Sequence, residues 1–207
     1  MQTADRLPQH LSENWISAFS LDAGGERLAV SIYFDVNEQL EVSNPQTRVE
    51  RVNISENLRI GAIEPHFNAE NGLDAEGEAM FAHHGELVWF YRLAIALQKQ
   101  RGKYIEDATP IYDYGIEFAD DGKVRISTRE RGSPIDTLVS EMMILANSTW
   151  AEMLHNADLP GLFRVQPAGK VRMSTQSEPH IGMGVAHYGW FTSPLRRNAD
   201  YINQKQL

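Results

Sequence analysis

The sequence predicts an α+β domain, and three observations carry that prediction. Two stretches, residues 27–36 and 47–54, alternate apolar and polar side chains and are rich in β-branched and aromatic types. Two others, residues 86–101 and 133–155, repeat apolar residues at helical spacing. Strands and helices follow one another in blocks rather than in strict alternation, which favours α+β over a parallel doubly wound sheet.

The elements follow in order. Residues 27–36 and 47–54, separated by Asn44-Pro45, read as an antiparallel pair. A short helix capped by Ser55 is expected up to Ile63. Residues 68–78 read as an acidic, glycine-interrupted loop. The helix over 86–101 aligns Leu87, Phe90, Tyr91, Ala94 and Leu97, and Lys99, Arg101 and Gly102 suit its C-terminus. Tyr112–Phe118 and Val124–Thr128 flank Asp120-Asp121-Gly122 as a hairpin. Ser133-Pro134-Ile135-Asp136 reads as a capping box opening the longest helix, with Ile135, Leu138, Val139, Met142, Leu145, Ala146, Trp150 and Met153 as its apolar stripe. Residues 162–165 read as extended. A last helix is expected over 195–206, capped by Thr192-Ser193 with Pro194 at its start. No repeat, low-complexity block or linker marks a domain boundary. The chain stops inside that helical pattern, which reads as a fragment.

Composition narrows the function. The 207 residues hold no Cys, which excludes disulfides, thiolate zinc sites and cysteine nucleophiles. The N-terminus lacks a basic stretch followed by an apolar run, and the longest apolar run is far short of a membrane span, so a soluble, cytoplasmic protein is expected. The formal charge of −9 is uneven: residues 1–120 carry 9 basic and 20 acidic side chains, residues 121–207 carry 10 and 8. That asymmetry fits either a solvated acidic front half or an anion-binding face further on.

His83-His84 and His180/His187 are spaced poorly for a shared metal ion. No phosphate-binding glycine loop or serine nucleophile elbow occurs. The informative stretch is Gly184–Gln206. Tyr188, Trp190 and Phe191 precede Thr192-Ser193-Pro194, and Arg196 and Arg197 follow inside the expected helix start. Arginine there opposes the helix dipole, which fits a bound phosphate; pairing with Asp200 or another carboxylate is the alternative. Glu141, beside the apolar stripe, needs a partner, either a ribose or base edge or a core arginine; Asn147 shares its helix.

These segments resemble a known family. Phe191–Arg197 with Asp200 is similar to the F-T-S-P-[IL]-R-[RK]-[YF]-x-D signature of the ribonuclease II/ribonuclease R (RNB) exoribonucleases. Val139–Asn147 resembles that family's V-E-E-x-M-[IL]-x-A-N helix, Pro160–Arg164 its P-[GA]-[LI]-Y-R segment, and Leu11-Ser12-Glu13 its L-S-E. Asn198 and Ser140 depart from the pattern. The resemblance is nearest to divergent betaproteobacterial members. It implies Mg²⁺-dependent 3′–5′ hydrolysis of single-stranded RNA. The family's aspartate cluster, D-P-x-x-x-x-D-x-D-D, does not occur in the sequence. The chain then corresponds to the middle and later part of the catalytic domain, without the oligonucleotide-binding barrels, expected to bind no Mg²⁺ and to be inactive alone. By the same resemblance Arg196 is the catalytic arginine, and Arg197, Glu141, Tyr188, Ser193 and Thr192 contact RNA. Expected partners are single-stranded RNA and either another copy or the missing part of the domain. The alternatives are a non-catalytic RNA-binding or scaffolding protein and one half of a split enzyme.

Overall fold

A computed structural model describes residues 13–207 apart from 69, 71, 74–80, 107, 108, 110 and 119–121. Leu11 and Ser12, much of the acidic loop and Asp120-Asp121 lie outside the described residues. The elements run α1 (Glu13–Phe19), β1 (Gly25–Val36), β2 (Val42–Ile54), α2 (Ile60–Ile63), α3 (His84–Gln100), β3 (Ile111–Phe118), β4 (Val124–Arg131), α4 (Pro134–Asn156), β5 (Phe163–Val165), β6 (Arg172–Ser174) and α5 (Asn198–Gln204). This is the expected α+β class, with three antiparallel two-stranded sheets among the described residues. The chain divides into two units, residues 1–57 with 142–207 and residues 58–141, at positions no linker composition marks.

In the first unit β1 and β2 pair from Gly25↔Ile54 to Val36↔Val42. The register shifts between Tyr33 and Asp35, where Asn44 takes a left-handed φ of 56° and Pro45 follows. A bulge lets a residue without an N–H enter the strand, so β2 begins before the Asn-Pro pair rather than after it. Trp150, Ala151 and Leu154 of α4 form a core with Phe163, Val165 and Phe191, against which Val30 and Ile32 of β1 pack. The Trp150 indole donates to the Thr47 hydroxyl at 3.0 Å, tying α4 to β2.

In the second unit Phe67 is fully buried, with Phe81, Tyr91 and His84 edge-on to it at 6.2–6.4 Å. The early short helix is smaller than the sequence suggests: α2 has four residues and begins after Arg59, not at Ser55, without a side-chain cap. Helix α3 buries His84, Val88, Leu93, Ala94 and Leu97, so Ala94 and Leu97 of the expected stripe face inward while Phe90 is exposed. It closes on Gly102 at φ 64°, as a helix C-terminus favours.

Helix α4 opens as its capping residues dictate: the Asp136 N–H donates to Ser133 Oγ at 3.4 Å and the Asp136 carboxylate accepts the Gly132 N–H. Its buried line is Ile135, Leu138, Glu141, Asn147, Trp150, Ala151 and Leu154, while Val139 and Met153 of the expected stripe are exposed. Two polar side chains therefore sit in a row of apolar ones. Among the described residues no helix is long and apolar enough to cross a membrane.

Candidate nucleic-acid interface

The two arginines lie in a turn, not in a helix. Both the Arg196 and Arg197 N–H groups donate to the Ser193 carbonyl, at 3.2 and 3.1 Å. Arg197 is extended (φ −133°, ψ 121°), and α5 starts only at Asn198 and ends at Gln204. The expected helix over 195–206 is thus corrected to seven residues, and the arginines precede it. Proline after Ser193 together with an N–H pair closing on Ser193 makes a turn locally self-sufficient. Free helical N–H groups do not supply an anion site here, because these amides are spent.

Three polar residues with no exposed surface, Asn147, Asp200 and Asn203, hold that segment. Asn147 accepts the Phe191 N–H at 3.0 Å and donates to the Tyr188 hydroxyl at 3.3 Å. Asn203 donates to the carbonyls of Trp190 and Leu162 and accepts the Leu162 N–H. Asp200 accepts the Ser193 N–H at 2.8 Å. Buried amides satisfied at both ends fix a loop more tightly than apolar contact, since each lost partner strands a polar atom. A side chain at Gly189 would meet the Phe191 ring at 2.8 Å, so the segment closes only with glycine there.

Arg197 packs against Asp200, with Nη2 on Oδ1 at 2.8 Å. Its Nε lies 2.7 Å from Oδ2, close enough for an ion pair but misaligned for a hydrogen bond. The Arg197 guanidinium also stands 4.5 Å from the Trp190 ring centroid, and that of Arg164 stands 5.2 Å from it. Arg196 is exposed on the same turn.

Of the expected residues, Arg196, Arg197, Ser193 and Thr192 share this turn. Tyr188 is 4 % exposed, so its ring faces the core rather than solvent. The Thr192 hydroxyl is buried without a hydrogen-bond partner. Glu141 belongs to the other unit and pairs with Arg101; both side chains are nearly buried. Sequence reasoning did not single out Asn203, Arg101 as a partner, or the pairing of Trp190 with two arginines. For Asn203 a signal existed: it lies three residues after Asp200, on the same helical face.

Magnesium needs several oxygen ligands left over for it. The buried carboxylates Glu141 and Asp200 are each engaged by an arginine, and among the described residues no three His, Asp or Glu side chains gather. The described side chains do not fit that ion.

No protein of curated function matches the chain. Solved structures do. RNase R of Mycoplasma genitalium, in complex with double-stranded RNA, is 17 % identical, with a TM-score of 0.74 over 91 % of this chain and 43 % of that one. The Dss1 exoribonuclease of Candida glabrata is 18 % identical, with a TM-score of 0.69 over 93 % of this chain and 30 % of its own. Yeast Ssd1, a pseudonuclease, is 13 % identical, with a TM-score of 0.62 over 93 % and 30 %. The chain therefore spans less than half the length of each. The RNB domain itself matches residues 4–173, covering the strand pair, both long helices and the P-G-L-F-R segment, and this chain belongs to the RNB domain family.

Proposed function

We propose that this chain is the RNA-facing part of a 3′–5′ exoribonuclease domain, which grips the RNA backbone and does not cleave by itself. The supporting observation is the turn Ser193–Arg197, fixed from behind by Asn147, Asp200 and Asn203 and carrying Arg196 at the surface. A guanidinium on a rigid turn loses little entropy on meeting a phosphate, and its fork matches two phosphate oxygens. In this reading Arg196 touches the phosphate, while Arg197, Ser193 and Tyr188 position the turn. Glu141, neutralised by Arg101, reaches a ribose only if that pair opens.

Two assays test this. Incubation with end-labelled single-stranded RNA and Mg²⁺ should release no mononucleotides; stepwise shortening would refute the inactivity. In fluorescence anisotropy at fixed salt, Arg196→Ala should weaken RNA binding by about 1.5–3 kcal/mol, the range of a charge-assisted contact. Arg125→Ala, on the exposed strand β4, should cost well under that. Equal losses would mean a diffuse electrostatic surface and no site at the turn.

A further inference from the structure

The two arginines over Trp190 differ in what their hydrogen-bonding edges do. Cation–π contact engages the flat face of a guanidinium and leaves its in-plane N–H donors to find partners of their own. Arg197 directs its edge at Asp200. Arg164 has no such partner: among the described residues no carboxylate stands within ion-pair distance of it. Its contacts are the Trp190 ring and a main-chain bond from its N–H to the Tyr188 carbonyl at 2.8 Å. It is half-buried on β5, between the core residues Phe163 and Val165. A cation partly withdrawn from water and held in place without a counter-ion is poised for an anion.

A second unspent donor lies nearby, on His180, which bridges to Gln166 just after the strand that carries Arg164. His180 is 3 % exposed, with its ring edge-on to Tyr188 at 5.7 Å. Its Nδ1 accepts the Met183 N–H at 3.3 Å, so the neutral ring carries its proton on Nε2, which has no partner. Burial first, and the Arg164 charge second, hold this imidazole below its ordinary pKa and keep it neutral.

We infer that Arg164, stacked on Trp190, is the gripping fork of a phosphate subsite beside the Arg196 turn, while His180 Nε2, sealed from solvent, takes no part in the contact. This rests on the RNA reading above: the phosphate is a backbone phosphate of bound RNA, and a nucleoside monophosphate presents the same chemistry. Arg197, whose edge is closed by Asp200, supports the stack and is not the second phosphate contact.

The test measures anisotropy of a labelled single-stranded oligoribonucleotide on the 207-residue chain across a salt series, with the unaltered chain, Arg164→Ala, Arg164→Lys and Arg125→Ala. In parallel, the ¹⁵N resonance of Arg164 Nε is followed on adding adenosine 5′-monophosphate. Arg164→Ala should weaken RNA binding roughly 10-fold and lower the slope of log K against log salt by about 0.7, one phosphate contact on a single strand. Arg164→Lys should keep the slope and recover only part of the affinity, and Arg125→Ala should change neither. If folding of Arg164→Ala is impaired, the lysine variant and the Nε shift decide. RNA binding by the unaltered chain with Arg164→Ala indistinguishable from it overturns the subsite and leaves the RNA reading standing. An Nε shift with the monophosphate but no RNA binding upholds the subsite and overturns the RNA reading. No response to either ligand overturns both.

Discussion

Replacing Asp200 by Ala should be among the most damaging single changes in the first unit. The carboxylate has no exposed surface, accepts the Ser193 N–H and neutralises Arg197, whose side chain is 17 % exposed. Removing one member of a buried pair strands the other, at about 3–5 kcal/mol, and the orphaned Ser193 amide adds roughly 1 kcal/mol. Arg197 rests on Trp190 at the rim of the core and can turn toward water, so the lower half of the range applies. Against a total stability of about 5–15 kcal/mol this is a large fraction. Asp200→Asn keeps an acceptor for Ser193 and should cost less. The double variant Asp200→Ala/Arg197→Met removes the stranded charge and should be more stable than Asp200→Ala alone, with a coupling of about 1–3 kcal/mol. Urea unfolding of the unaltered chain, these three variants and Arg197→Met alone, followed by circular dichroism and tryptophan fluorescence, measures the losses and closes the cycle. A loss under about 1 kcal/mol for Asp200→Ala, or strict additivity in the cycle, would refute the argument that this pair holds the turn.

Arg101→Ala should destabilise the second unit by about 3–5 kcal/mol, because it leaves Glu141 charged and buried; adding Glu141→Gln should recover part of that in the same unfolding assay. Trp150→Phe keeps the ring in the core but removes the donor to Thr47, and a loss near 1 kcal/mol in chemical denaturation is expected. The fold should lose stability in mild acid. Burial, with Arg164 for His180 and His155 for His187, holds both imidazoles below the ordinary value. The unfolded chain therefore binds protons first. Stability is whole above about pH 6.5 and declines as pH falls through the folded values. Melting temperatures from pH 7.5 to 5 should show that decline, and the double variant His180→Gln/His187→Gln should flatten it; an unchanged acid limb would exclude these two groups as its source.

The strand pair, both long helices and the hairpin were legible because periodicity and turn residues are local signals. Capping at Ser133 and the stop at Gly102 were legible for the same reason. The last helix was not. A proline after Ser193 looks like a helix start whenever the following residues tolerate one, and only the bonds from Asp200 and Asn203 back into the loop show that residues 194–197 form a turn instead. The α3 stripe was right at Ala94 and Leu97 and wrong at Phe90, because partners such as Phe67, which lies well before the helix and meets its His84 and Tyr91, decide how far round it is covered. At the site, Glu141 and Asn147 stood out as polar residues on a core-facing helix, and both are buried and partnered. The choice between core arginine and ribose for Glu141 depended on Arg101, forty residues earlier, which spacing does not reveal.

The clamp also fixes when the arginine turn can take shape. Asp200 and Asn203 lie in the last short helix, and Asn147 lies more than forty residues before Phe191. During synthesis Asn147 leaves the ribosome before the turn and Asp200 and Asn203 after it, so the guanidiniums are first presented on a strand only partly fastened. Contacts of such sequence separation form late in folding, once the cost of loop closure has been met. The arginine-bearing turn thus takes its shape late, after the hydrophobic core beneath it already has its parts.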